Sequence, residues 1–367
     1  MKNFAAFARM TKLKTFQTPH SNQNPRLKTT ISILSLAILG LCSASGEDEI
    51  VVKKFLQHSQ VVGASECIEC HESEIKAWQT SHHYANKDLH KSDRALEIAR
   101  NMGITSAAAI RTSGLCTQCH FTVQKVGAGP SKVIDGVSCE SCHGGAKDWL
   151  DIHNTGDRRD GDDTAAARAK RITDSAAGGM IRPEKFQTVA ANCYSCHIIT
   201  NEELVNKGGH PAKSEGFELV AWMSGEVQHN FFDSKGATNA AAPKERQRML
   251  YIAGSALQLE YSLRGLARAK EKADYGKAMG RNCGSSRTQF NAIVEALGSD
   301  APAELVAIGE AVNADGLLKF FNVDPLNAAA DAVAAQLDLF AKNHDGSALG
   351  AIDSMISPEG KGKVFQP

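Results

Sequence analysis

Cys67-Ile-Glu-Cys70-His71, Cys116-Thr-Gln-Cys119-His120, Cys139-Glu-Ser-Cys142-His143 and Cys193-Tyr-Ser-Cys196-His197 are four copies of one pattern. Their reading decides how the chain folds. Two thiols three positions apart, followed at once by an imidazole, can add across the two vinyl groups of haem and set the histidine under the iron. Zinc sites and disulfide frameworks also use paired cysteines. Neither accounts for a histidine directly after every second cysteine. The spacing therefore predicts four haem c groups bound through Cys67, Cys70, Cys116, Cys119, Cys139, Cys142, Cys193 and Cys196. His71, His120, His143 and His197 are their proximal iron ligands. Of the two remaining cysteines, Cys42 lies near the N-terminus and Cys283 reads as a half-buried thiol without a role.

Around these motifs, from Cys67 to His229, hydrophobic periodicity is poor and Gly, Ser, His and charged residues are frequent. A chain this polar cannot bury enough side-chain surface to fold alone, so the porphyrins must supply most of the apolar core. The haem-free protein is then largely unfolded. Short helices around the motifs, long connections and almost no sheet are expected. The polar run Asn154–Ser175 includes Arg158-Arg159-Asp160-Gly161-Asp162-Asp163. It lacks the regular oxygen spacing of a calcium loop and reads as a solvated connection.

Beyond a linker-like stretch at 234–243, helical periodicity appears. Met249, Ile252, Ala256, Leu259, Leu263 and Leu266 form one apolar stripe, and Leu326, Ala330, Val333, Leu337 and Phe340 form another. Asp324-Pro325 supplies an N-cap and a first-turn proline. Weaker helical stretches lie near Gln289–Leu297 and Ala303–Val312. The expected architecture is mainly α: a haem-packed domain over 46–233, then a helical bundle or hairpin over 244–345 that packs, docks or forms a homo-oligomer. A tail follows over 346–367, with its last ten residues frayed.

The first 28 residues carry Lys2, Arg9, Lys12, Lys14, Arg26 and Lys28 and no acidic side chain. An apolar run, Ile31–Leu41, and small residues at 43–46 follow, which is the layout of a secretory signal over 1–45. Met10 is an alternative start within it. The apolar run is short of the twenty or so residues a membrane span needs. A periplasmic protein is expected, with an uncleaved membrane anchor as the alternative. Without residues 1–45 the chain holds 35 basic and 41 acidic residues, a net charge of −6. That excess argues against nucleic acid and suits basic patches on redox partners.

Proximal histidines do not decide function; the opposite face of each iron does. A second histidine gives a low-potential iron fit for electron transfer, a methionine raises the potential, and a vacancy admits substrate. Outside the motifs the region offers His82, His83, His90, His153, His210 and His229, with Met102, Met180 and Met223.

Three features resemble the tetrahaem cytochromes that accept electrons from hydroxylamine oxidoreductase in ammonia-oxidising bacteria. They are Trp78-Gln-Thr-Ser-His-His83, Gly136-Val-Ser-Cys139-Glu-Ser-Cys142-His143-Gly144, and His153 ten residues beyond the third motif. The resemblance spans Cys67 to about His197. It implies that His83 ligates the third haem, with His82 as the alternative, and that His153 ligates the first. For the fourth haem it leaves His210 and His229 open. In such proteins the second haem lacks a sixth protein ligand; here the spare histidine is available to fill it. The extra C-terminal helices depart from the short members of that family.

Three function classes follow. The first is an electron carrier between periplasmic or membrane-bound redox proteins. The second is a reductase or oxidase acting on a nitrogen oxide or hydroxylamine at an open second haem, with Lys125 or Arg111 as proton donor. The third is a sensor or assembly subunit working through the C-terminal helices. The surplus of histidines favours the carrier, which is not an enzyme.

Overall fold

A computed structural model describes residues 56–155 and 163–367. The signal segment and most of the Arg158–Asp163 run lie outside the described residues. Asp163, at the edge of the described part, forms a two-point ion pair with the buried Arg171, at 2.9 and 2.5 Å.

The protein is mainly helical, as its patterning predicts. Three of the four motifs close a helix: Gly114–His120, Cys139–His143 and Phe186–His197 each end on the motif histidine. After the second and fourth of them the chain turns extended, at Phe121 and Ile198. After the third it enters Gly144 with φ 85°, where a side chain would also collide with the Gly179 carbonyl. The first motif sits instead in the turn that follows a 3₁₀ helix, Ala64–Glu66, and leads into helix Glu72–Gln79. Thr122–Gln124 and Lys132–Asp135 form one two-stranded antiparallel sheet. The apolar cluster around the first three motifs is small: Ala99, Ile110, Phe121 and Val123.

The main protein core lies in the C-terminal half. Helix Lys244–Arg268 is its axis, packed by helices Asp274–Leu297 and Val323–Asn343 and, on another side, by the fourth-motif helix Phe186–His197. The single apolar stripe expected for 244–268 is therefore wrong in extent. With neighbours around it, the helix is buried on nearly every face between Met249 and Ala267. Its buried Glu260 accepts from Arg264 Nε at 3.0 Å, and Arg264 reaches Asp331 at 2.9 Å. The weak signal near Gln289–Leu297 is the end of a 24-residue helix beginning at Asp274. Its first half escaped notice because glycines and polar residues break the apolar pattern. Cys283 is fully buried in this core, not half-buried.

Helix Val323–Asn343 starts ahead of Asp324-Pro325, with Asn322 at the N-cap position but no side-chain capping bond, so both residues lie inside the first turn. Phe290 is fully buried between these elements. Phe290→Ala is expected to cost about 3–5 kcal/mol in denaturant unfolding, the price of a large core cavity.

Two expectations for the connections need correction. Residues 234–243 are not a free linker: Asn239 is buried and exchanges hydrogen bonds with Gln228 at 2.8 and 2.9 Å. The last ten residues are not frayed either. Lys361 and Phe365 pair with the segment before and after His229, through main-chain bonds and the Phe231 ring. Among the described residues no helix is long and apolar enough to cross a membrane.

Candidate haem sites

Each motif histidine faces a second imidazole contributed from elsewhere in the chain. His71 lies opposite His153 with ring centroids 6.3 Å apart, and His120 lies opposite His210 at 6.2 Å. His143 lies opposite His229 at 6.1 Å, and His197 opposite His83 at 6.2 Å. Metal–imidazole bonds of about 2.0 Å on both sides would put two ring centres roughly 6.2 Å apart. All four gaps therefore have the width of one iron atom held by two nitrogens. The common spacing is the test of fit, and the residues pass it.

The outer nitrogens are held in the orientation this requires. His143 Nδ1 donates to the Ile181 carbonyl at 3.1 Å and His153 Nδ1 to Leu150 at 2.5 Å. His210 Nδ1 donates to Pro211 at 2.8 Å and His229 Nδ1 to Val227 at 2.7 Å. A carbonyl oxygen can only accept, so the proton sits on Nδ1 and the Nε2 lone pair is left for a metal. His197 Nδ1 meets the Ser214 hydroxyl at 2.9 Å, and His71 Nδ1 lies 3.7 Å from Glu74. Desolvation first, and then the neighbouring His229, push the His143 imidazole down to about 4, so it is neutral at pH 7.

The structure pairs His153 with the first motif, as the resemblance implies. It differs for the others. His83 faces the fourth motif, not the third, and His229 faces the third. The cause lies in the backbone of His83. Its carbonyl accepts from the Val137 amide at 3.0 Å, just ahead of the third motif, and Gly136 packs so close that a side chain there would strike it. Trp78 Nε1 secures the same contact by donating to the Val137 carbonyl at 2.8 Å. The main chain of His83 is what touches the third motif, while its imidazole lies at His197. Neither His210 nor His229 lies opposite His197; His210 is taken by His120.

The remaining candidates do other work. His82, whose side chain is 81 % exposed, pairs with the buried Glu226 at 2.6 Å. His90 packs by Phe121, its Nδ1 buried without a hydrogen-bond partner. Arg111, considered as a proton donor, is committed to the Lys87 and Val133 carbonyls at 3.2 and 3.1 Å. Lys125 is exposed.

Further groups show how the motifs are held together. The Cys139 and Cys67 side chains are neighbours, which brings the first and third attachment points side by side. Asn192 ties the fourth motif to the third by donating to the Ser141 carbonyl at 2.8 Å. Trp149 Nε1 is buried with no partner beside His153, whose ring is 5.1 Å away. A buried N–H of this kind calls for an acceptor, which a propionate of the group would provide.

Sequence reasoning missed Glu140, which reads only as a spacer within the third motif. It is 1 % exposed and its carboxylate accepts from the amides of Val62, Gly63 and Ala146 at 2.9, 2.8 and 2.8 Å. Glu140→Ala would leave three buried N–H groups unsatisfied, each costing about 1–3 kcal/mol. A large loss of thermal stability in the holoprotein is the expected result. Nothing in the local pattern signals this role, since its partners lie up to 78 residues away.

Residues 66–144 match the family described as cytochrome c554 and c-prime. That stretch contains the first three motifs and their helices. No curated protein and no solved structure matches the chain. The match, over 79 of the 367 residues, supports a multihaem c-type cytochrome, with covalently bound haem c and a role in electron transfer.

Proposed function

We propose that this chain is a periplasmic carrier with four haem c groups, each iron held between two histidines. The pairs are His71 with His153, His120 with His210, His143 with His229 and His197 with His83. The observation that carries the reading is the uniform separation of 6.1–6.3 Å in all four pairs. When bound, such a group supplies one reversible electron step at low potential. The chain's own contribution is to hold five of these imidazoles, His143, His153, His197, His210 and His229, by their Nδ1 atoms, so that the ligands stay in place between oxidation states.

His210 opposite His120 supports a carrier over an enzyme, because it occupies the face a substrate would need. Arg111 is committed to carbonyls on that side of the fold. Redox proteins of the periplasm or membrane are the partners. The first motif is the one whose connecting residues reach solvent: Ile68 is 45 % exposed, whereas Thr117, Glu140 and Ser141 are buried. Export is supported by the basic-then-apolar order of residues 1–45.

The test is the mass of the mature protein together with its spectra. Four haem additions, four low-spin ferric signals and no carbon monoxide binding after reduction are expected. Fewer additions, or a haem that binds the gas, would overturn the reading.

A further inference from the structure

The segment 221–231 is gripped from three directions. The C-terminal tail grips it first. Lys361 donates its amide to the Ala221 carbonyl at 2.6 Å and accepts from the Glu226 amide at 2.9 Å. Gly225 and Gly360 allow this approach. A methyl at Gly225 would overlap the Lys361 carbonyl, and one at Gly360 would overlap the Ser224 carbonyl. Next, Phe365 lies 6.1 Å from the buried Phe231 ring, and its carbonyl accepts from Asn239 at 2.9 Å. Asn239 is the second grip, bonding to Gln228 and to the Asn230 amide, the neighbours of His229 on either side. The third is His82, whose amide and Nδ1 both donate to the Glu226 carboxylate, at 3.2 and 2.6 Å.

These contacts join two sites that belong to different motifs. His229 faces His143 and sits three residues past Glu226. His83 faces His197 and directly follows His82. Glu226, with its side chain 5 % exposed, is where the two connections meet. The bundle end of the chain is thus fastened to the two opposing imidazoles of the third and fourth motifs. The contacts at His153 and His210 involve none of these residues.

We propose that Glu226 and the tail residues Gly360–Phe365 form a clasp that positions His229 and His83 together. Through it the axial ligation of the third and fourth haems is set as a unit. This rests on the ligand assignment proposed above. Glu226 is a positioning residue: it touches neither facing imidazole and acts through the backbone of one and the chain neighbour of the other. Hydrogen bonds that orient a metal ligand matter to the site: loss of one typically costs about 10–100-fold in metal affinity or activity.

The test uses the full holoprotein and four variants: Gly225→Ala, Glu226→Gln, Glu226→Ala, and a chain ending at Ser357. Low-spin ferric signals are assigned with single His→Ala variants. Carbon monoxide binding and individual reduction midpoints are then followed. In Gly225→Ala and the shortened chain, the third and fourth haems should broaden or lose low-spin intensity and begin to bind carbon monoxide. The first and second haems should keep their signals and midpoints. Glu226→Gln, which retains one acceptor oxygen for His82, should restore most of what Glu226→Ala loses.

Unchanged signals in the shortened chain would overturn the clasp. So would equal loss at all four haems, which would make the tail a general support of the fold. The wild-type spectrum judges the ligand assignment separately from the difference between wild type and variant. Amide exchange at 226–231 reports on the clasp even where the spectra assign a different ligand. Exchange unaltered by removal of the tail would overturn it by that route as well.

Discussion

His229→Ala should keep all its haems and lose one low-spin signal. On the proposed assignment this haem is attached by thioether bonds at Cys139 and Cys142, so removal of an opposing ligand cannot release it. What it removes is the field of the second imidazole, leaving His143 alone on that iron. The variant should show a high-spin ferric haem and bind carbon monoxide after reduction, with the other three haems unchanged. The other candidate imidazoles named above are engaged elsewhere. His82 is bonded to Glu226, and the other opposing histidines already face motifs of their own. A variant that stays low spin and ignores carbon monoxide would mean that His229 is not the ligand.

Protein made without haem should fail in a divided way. Around the first three motifs the one apolar cluster among the described residues is Ala99, Ile110, Phe121 and Val123, and the other buried apolar side chains, Val61, Ala64, Ile75, Ala77, Ala146 and Trp149, lie outside it. At about 1.5–3 kcal/mol per buried large side chain, that cannot offset about 1–2 kcal/mol per ordered residue. Residues 56–155 should exchange their amides within seconds and contribute little helical signal. Helices between Lys244 and Asn343 carry a continuous apolar core from Met249 to Phe340 and should remain protected. The fourth-motif helix lies between these fates, because Phe186, Ala190 and Tyr194 belong to the same core as the bundle. Hydrogen exchange with and without haem checks this directly. Uniform protection along the chain would show that the haems are not what holds the first half together.

How much was legible follows from where the information lies. The attachment residues stand within five consecutive positions, so spacing alone reveals them. The bundle helices built on Met249–Leu266 and Leu326–Phe340 repeat apolar residues at helical intervals and were visible for the same reason. Helix Asp274–Leu297 was half hidden, because Gly276 serves close backbone approach rather than apolar patterning. The candidate opposing histidines could be named but not paired. Whether His83 meets the third or the fourth motif depends on the direction of its side chain after its carbonyl bonds to Val137. That is decided by a fold, and no interval along the chain encodes it. The same holds for Glu140 and Glu226, whose partners are distant in sequence and whose identity as glutamates is unremarkable.

The opposed histidine pairs have a consequence for the topology of the chain. Each proposed iron, bonded on both sides, closes a ring of polypeptide spanning roughly 80 to 115 residues, comparable in length to loops whose closure by a cross-link removes about 4–5 kcal/mol of unfolded-chain entropy. The four rings run from 71 to 153, 83 to 197, 120 to 210 and 143 to 229, and every one overlaps the other three. No segment between His71 and His229 can peel away without opening a ring that other segments share. The iron atoms thus serve this polar stretch as a set of interlocked staples, and reagents that compete for iron should unravel it where a denaturant alone is slow.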